Sequence, residues 1–176
     1  MTGGQERTTY NILVPPLLTE FTFRREGPIR SMKDISPEIG FNLSVSRFAE
    51  RVLGIALTAS VGGIPNVSVS SCYRVLIEIE PGPHSRLLKE MKLVAARLAP
   101  GLLYPFLRES IYSALLKAGL PPLVPPVIDI PSLFSIDDVE IPAFDERRPE
   151  EGSSPADSTQ EVTNKAVHRR LPGARR

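Results

Sequence analysis

Residues 39–80 read IGFNLSVSRFAERVLGIALTASVGGIPNVSVSSCYRVLIEIE, and this stretch decides the fold. It contains three runs in which apolar side chains alternate with small or polar ones, as in residues 39–46. A period of two is typical of strands that bury one face. The links between the runs, at residues 48–51 and 62–66, are too short for a crossover helix. The first half of the chain is therefore expected to form an antiparallel sheet.

An apolar, threonine-rich run precedes these three strands at residues 10–23, and Pro15 and Pro16 interrupt it. Proline has no amide hydrogen to donate to a strand ladder. This run is therefore expected at the edge of the sheet, or as a strand with a break in it.

Two helices are predicted after the sheet. Ser85 is a candidate N-cap for a helix over residues 86–98, although continuation of the sheet stays open there. A second helix is predicted over residues 101–118, because apolar residues recur every four positions and Gly119 stands where a C-cap belongs. Pro105 is tolerated only near a first turn, so the regular helix is expected to begin just before it.

The residues after the second helix are rich in proline but not polar. Residues 120–131 read LPPLVPPVIDIP, which excludes a helix or a central strand. Ordinary linkers are more polar than this, so the segment is expected to lie on an apolar surface or to be offered to a partner. Residues 132–140 are predicted to form a short helix, and the composition of residues 145–176 predicts a disordered tail.

Composition excludes several classes of protein. The chain has 176 residues, which suits one domain, and 21 Lys and Arg balance 20 Asp and Glu. This balance gives no electrostatic case for binding nucleic acid or an anionic membrane. No apolar run approaches the ~18 residues of a membrane-spanning helix, and no signal peptide is recognisable, so a cytoplasmic location is expected without membrane insertion.

No combination of residues indicates catalysis or a cofactor. Cys72 lies in the middle of a predicted strand, where a small buried side chain is the better interpretation, and a single cysteine excludes a disulfide framework. His84 and His168 are too far apart in sequence to favour a metal cluster. Asp137 and Asp138 lack the glycine-spaced loop of a cation site. An enzyme is therefore not expected, and the remaining signal is apolar surface, which favours either oligomerisation alone or a groove for apolar segments of another protein.

The second helix and the proline-rich segment resemble a known family. Residues 103–134, LYPFLRESIYSALLKAGLPPLVPPVIDIPSLF, are similar to the signature of SecB, the bacterial protein-export chaperone. The shared features are an aromatic-Pro-aromatic start to the helix, an Arg-Glu pair, Gly and Pro at its end, and an apolar crossover that ends in Leu-Phe. Residues 58–62 also resemble the end of the family's equivalent strand. The similarity spans roughly residues 10–134.

This resemblance implies an α+β fold in which a four-stranded antiparallel sheet packs on a long helix, followed by a Pro-rich crossover and a short lid helix. Together with the composition, it gives the expected domain bounds: a disordered N-terminus at residues 1–9, a SecB-like chaperone domain at residues 10–144 and a disordered charged tail at residues 145–176. It also implies a homotetramer, built as a dimer of dimers, that holds unfolded client proteins in apolar grooves without ATP. Some SecB-like proteins outside export guard an antitoxin, so a dedicated chaperone of one such partner stays an alternative, as does a purely self-assembling structural protein.

Site residues follow from the same resemblance. The crossover and its flanks would bind clients, with two sheet residues added: Leu120, Leu123, Val124, Val127, Ile128, Leu133, Phe134, Phe41 and Leu43. The long helix would supply the oligomer contacts: Tyr104, Phe106, Ile111 and Leu115.

Charge argues against delivery to the export motor SecA, which docks on an acidic sheet surface in the family. Glu20 matches one acidic position of that surface, but Arg24 stands where a second acid is expected. Ser71 and Tyr73 stand where a leucine and an acid would lie. Reversal of charge at such a patch turns attraction into repulsion.

Overall fold

The computed structural model describes residues 9–28, 37–80, 86–120 and 133–144, together with the backbone of residues 162–163 and 167–170. Its centre is an antiparallel sheet in the order β1-β4-β3-β2. The four long strands are β1 (Thr9–Arg25), β2 (Glu38–Ala49), β3 (Val52–Ile64) and β4 (Val67–Glu80). This arrangement confirms the predicted α+β fold with four antiparallel strands.

The alternation read from residues 39–46 sets the buried face of the sheet. Ile39, Phe41, Leu43 and Val45 are all buried, and their cross-strand partners on β3 are buried with them. Because β3 and β4 repeat the same alternation, three neighbouring strands present one continuous apolar face.

β1 lies at one edge of the sheet, as the prolines predict, and pairs only with β4 among the described strands. The register of this pair shifts three times between Ile12 and Glu20, around Pro15 and Pro16. Residues without an amide hydrogen interrupt the ladder, and the strand accommodates them with bulges.

A continuous helical segment follows the sheet. It consists of α1 (Leu87–Leu93), a π-helical turn (Val94–Leu98) and α2 (Ala99–Lys117). The helix predicted over residues 86–98 is confirmed, but the expected break before residue 101 is wrong. The π-helical turn ends at Leu98, two residues before Pro100, and a wider turn there accommodates a residue that carries a ring and lacks an amide hydrogen.

The expectation that regular helix begins just before Pro105 is also wrong, since Pro105 lies inside α2. Both Pro105 and Gly101, four residues earlier, are exposed. The carbonyl of Gly101 loses its helical donor on the solvent side, where water can bind it, and this lowers the cost of an interior proline.

The apolar stripe of α2 packs on the sheet, as predicted. Leu103, Leu107, Ile111 and Leu115 are each at most 2% exposed, in one core with the apolar faces of β2, β3 and β4. Residues 133–144 close part of this core, because Phe134 and Val139 are buried in it.

The short helix expected over residues 132–140 is not found in its described part, residues 133–140, which form turns instead. The amide of Asp137 donates to the hydroxyl of Ser135 at 3.3 Å. Such a local side-chain bond offers the backbone an alternative to helix. Within the described ranges, no helix is both long and apolar enough to cross a membrane, and no three potential metal ligands lie together.

Two short strands lie within the range predicted to be a disordered tail. β5 (Val162–Thr163) and β6 (Val167–Arg170) pair antiparallel with β2, on the side away from β3. The rest of residues 145–176, and residues 1–8, are outside the described part of the chain.

Candidate functional site: an apolar groove between β1 and α2

Five apolar side chains of β1 remain exposed although they lie on the same side of the sheet as the helix. Residues directly opposite each other in an antiparallel pair share a face. Leu18 pairs with Tyr73, Phe21 with Ser71 and Phe23 with Val69, and these β4 residues face the helical layer. We call the five such β1 side chains the β1 apolar face: Tyr10, Ile12, Leu18, Phe21 and Phe23. Each is between 36 and 45% exposed.

A groove of about 370 Å³ separates the β1 apolar face from α2. Leu18, Phe21 and Phe23 form its apolar wall, and α2 forms the other wall with Glu109, Ser110, Ser113, Ala114 and Lys117. This volume lies at the lower end of the range of about 300–1,000 Å³ that is usual for ligand pockets. The groove thus combines one strongly apolar wall with a wall of small, hydroxylic and charged side chains.

An aromatic pair continues the helix wall toward the start of α2. The rings of Tyr73 and Phe106 pack with their centroids 5.7 Å apart, and the Tyr73 hydroxyl lies 2.8 Å from the Ser110 hydroxyl. Tyr73 is half-buried, whereas Phe106 is exposed. Because Leu18 lies opposite Tyr73 in the register, this pair places further aromatic surface beside the groove.

The other end of the helix wall is fixed to β1 and closed by a helix cap. An Arg25 guanidinium nitrogen donates to the carbonyl of Ala118 at 2.8 Å. Gly119 has φ of 72°, and the amides of Gly119 and Leu120 donate to the carbonyls of Leu116 and Leu115. These two bonds are the Schellman motif, which confirms the C-cap predicted at Gly119.

The nine residues predicted to bind clients are not brought together in the described structure. Leu123, Val124, Val127 and Ile128 lie outside the described residues. Leu120 and Phe134 are buried, and Leu133 is half-buried against the core. Phe41 and Leu43 are core residues beneath the helix, at most 1% exposed, so neither offers surface in this conformation.

The four residues predicted to make oligomer contacts divide into two groups. Tyr104, Ile111 and Leu115 are buried against the sheet of the same chain, and Tyr104 packs edge-on against Phe41 with ring centroids 6.0 Å apart. Burial raises the pKa of Tyr104 above its ordinary value of 10.0, and the nearby charge of Arg108 opposes the shift. Phe106 alone of the four is exposed.

The outer face of the sheet carries mixed charge near β1. Glu20 is exposed on that face, opposite Cys72, and Arg24 lies on the same face and pairs with Glu26 at 3.5 Å. Ser71 and Tyr73 are not part of this surface, contrary to the expectation from the family pattern, because both face α2.

Sequence reasoning missed Leu18, Phe21 and Phe23 as candidate site residues. The run over residues 10–23 was recognised as an apolar edge strand, which is the signal that could have found them. The sequence alone does not show how far α2 extends over the sheet, and this extent decides which strand the helix leaves uncovered.

Comparisons with known proteins agree with this fold. No family model matches the chain. The "Protein-export protein SecB" of Anaplasma marginale, from strains Florida and St. Maries, is 30% identical over 86 residues. That match covers 49% of this chain and 47% of each relative, so the chain spans about half the length of the curated relatives it matches.

One solved structure is similar over most of the described fold. It is a SecB-like chaperone of Mycobacterium tuberculosis in complex with a ChAD peptide from the HigA1 antitoxin. The TM-score is 0.53, with 16% identity, and the match covers 68% of this chain and 87% of the other. These matches support the resemblance to SecB: about half of the chain is similar in sequence to SecB proteins, and its fold is similar to that of a SecB-like chaperone.

Proposed function

We propose that this chain is an ATP-independent holdase chaperone, which binds unfolded or non-native polypeptides and keeps them from aggregating. The observation that carries the proposal is the open groove between the β1 apolar face and α2. The curated relatives are protein-export proteins named SecB and the similar solved structure is a SecB-like chaperone, which supports a binding role rather than catalysis. The cytoplasmic location stays a prediction.

The groove suits segments that are buried in folded proteins and exposed in unfolded ones. Leu18, Phe21 and Phe23 offer apolar contacts without directional chemistry, so they accept many sequences. The hydroxyls of Ser110 and Ser113 lie on the facing wall, where they bond Tyr73 and Glu109, and their remaining lone pairs can accept from the main-chain amides of an extended segment. Main-chain bonds are also independent of client sequence, so the two walls together favour broad specificity.

Binding to unfolded chains is sufficient for the function without an energy source. A ligand that prefers the unfolded state draws the folding equilibrium toward that state by mass action. Several weak grooves on one assembly then hold a client through avidity, with little demand on any one contact. In this proposal the crossover residues Leu123, Val124, Val127 and Ile128 extend the binding surface beyond the groove.

The assembly is proposed to be a homotetramer, a dimer of dimers. One described surface outside the groove lining suits contact between copies: the outer side of α2, where Phe106 and Leu116 are exposed. The buried Tyr104, Ile111 and Leu115 would support such contacts from beneath by fixing the position of α2.

Holdase activity is tested by the aggregation of a chemically denatured client, followed by light scattering without nucleotide. We expect the full chain to suppress scattering at a several-fold excess over the client. Replacing Val124 and Ile128 with Asp should reduce protection while the oligomer persists, measured by multi-angle light scattering. Unchanged scattering with the unmodified chain would refute the proposal, and loss of the oligomer in the variant would make the crossover a structural element.

A chaperone dedicated to one partner is the second candidate, because the similar solved structure carries a peptide from an antitoxin. Co-purification from the native host distinguishes the two. One stoichiometric species favours the dedicated chaperone, and a broad mixture of proteins favours the holdase. A purely self-assembling structural protein would bind no unfolded client in either experiment. Delivery to SecA is not part of the proposal, because the outer face around Glu20 and Arg24 has mixed charge.

A further inference from the structure

The second edge of the sheet is occupied by the chain's own tail. β5 places Val162 and Thr163 opposite Val45 and Ser44, and β6 runs antiparallel to residues 38–41 of β2. The register shifts by one residue between β5 and β6. Among the described strands, β2 has β3 on one side and only these tail strands on the other.

Without the tail, β2 would be an unusually receptive edge. It contains no proline, and its pairing with β3 is regular from Glu38 to Arg47. Long regular edges present a row of unpaired amides and carbonyls on which another chain can add a strand. The opposite edge differs, because Pro15 and Pro16 and the bulges around them interrupt β1.

We infer that the β2 edge is a second docking site for an extended polypeptide, and that β5 and β6 occupy it until an external strand displaces them. This inference rests on the proposed function and deepens it. The matching occupant is an extended segment that places apolar residues opposite Phe41 and Val45, as the tail places Val167 and Val162.

The tail is suited to be displaced. It pairs six of its residues with β2 positions between Glu38 and Val45, so a client strand can begin to pair at residues 46–49 before the tail leaves. Because the tail belongs to the same chain, its effective concentration at the β2 edge is on the order of millimolar. A free peptide competes poorly at that concentration, whereas a client already held in the groove competes within the same complex. The edge therefore favours clients that have engaged the groove first.

The inference is tested in the full chain with prolines that disable the tail strands. Successive residues of a strand direct their amides to opposite sides, so one residue of each adjacent pair donates toward β2. Replacing both residues of a pair with proline therefore removes that donor, whichever residue carries it. The variant carries Val162→Pro, Thr163→Pro, Val167→Pro and His168→Pro. The matched control carries four prolines before the tail strands, at Ala156, Asp157, Ser158 and Thr159. The probe is a labelled synthetic peptide with the sequence of residues 160–171.

We expect the variant to bind the probe at least about threefold more tightly than the unmodified chain or the control, because its edge is free more of the time. Amide exchange over residues 38–45 should be faster in the variant and slow again when the probe binds. Equal affinity for all three proteins, or exchange over residues 38–45 that the prolines leave unchanged, would overturn the inference.

A cross-link provides a second measurement, made while β5 is held against β2. Ser44 and Thr163 are directly opposite in the register, so Ser44→Cys and Thr163→Cys, in a Cys72→Ser background, should join under oxidation. The oxidised chain should bind the probe at least about threefold more weakly than the reduced chain. Failure of the pair to cross-link would overturn the inference. If the unmodified chain does not protect a client from aggregation but the exchange and probe results are as expected, the proposed holdase function is refuted. The inference that β5 and β6 occupy the β2 edge would still hold.

Discussion

Leu17 and Leu18 provide a matched pair of substitutions, because these adjacent leucines lie on opposite faces of β1. Leu18 lies opposite Tyr73 and lines the groove, whereas Leu17 lies opposite Arg74 on the outer face. Leu18 is 45% exposed and Leu17 is 58% exposed, so the two side chains contribute similar amounts to the stability of the folded chain. We predict that Leu18→Asp weakens the binding of an unfolded client and that Leu17→Asp does not.

The expected size follows from the exposed fraction of Leu18. Burying a whole leucine side chain is worth about 1.5–3 kcal/mol, so covering its exposed half is worth about 1 kcal/mol. A carboxylate in the same place adds a desolvation penalty of at least about 1 kcal/mol when a client covers it. The sum of about 2 kcal/mol corresponds to roughly a thirtyfold increase in Kd.

Fluorescence anisotropy of a labelled, permanently unfolded client measures this effect, and thermal unfolding of both variants controls for stability. Both substitutions should lower Tm by similar, small amounts, because both side chains are about half-exposed. Equal loss of affinity in the two variants would contradict the assignment of the groove, as would full affinity in Leu18→Asp.

Three other outcomes check the packing around α2. Ile111→Ala should lower the free energy of unfolding by about 2–4 kcal/mol, because the side chain is buried in the core. Phe106→Ala should change the free energy of unfolding far less, because Phe106 is exposed, and should instead reduce the assembly mass measured by light scattering. Gly119→Ala should cost about 1 kcal/mol in urea unfolding, since φ is 72° and no atom lies near an added Cβ; an unchanged midpoint would contradict the cap. The raised pKa of Tyr104 means that the folded chain holds the phenolic proton more tightly than the unfolded chain does. The resulting contribution to the free energy of unfolding is therefore full below pH 10 and is lost as pH rises through the folded pKa. Tyr104→Phe should flatten this alkaline fall in stability, and equal slopes would contradict the assignment.

The parts of the fold that sequence predicts are those set by short-range pattern. Alternation over residues 39–46 gave the buried face of β2, and the four-residue spacing from Leu103 to Leu115 gave the buried face of α2. Gly119 marked the end of that helix because few other residues adopt a positive φ. Each of these features is decided by neighbours within one turn or one strand.

The features that sequence did not predict depend on distant partners. The helix continues through Pro105 because a solvent-facing carbonyl lowers the cost, and solvent exposure is a tertiary property. The groove exists because α2 leaves the β1 apolar face uncovered, which no local pattern of β1 states. The tail strands have a polar composition that predicts disorder, but their pairing depends on the free main-chain groups of β2 rather than on the tail's own side chains.

The two edges of the sheet therefore have different roles. β1 cannot serve as a long strand template, because prolines and bulges interrupt it, yet it carries exposed apolar side chains beside α2. β2 is a regular template whose apolar side chains at residues 39–45 are buried, so over that range it can offer only its main chain. Side-chain contacts at β1 select for apolar segments, and main-chain contacts at β2 accept any extended segment.

A single client that uses both edges must be unfolded over a length that reaches across the sheet. A folded protein with one exposed apolar patch would engage only the β1 edge. Length of the unfolded segment, rather than its sequence, should therefore control how much client binding depends on displacement of the tail.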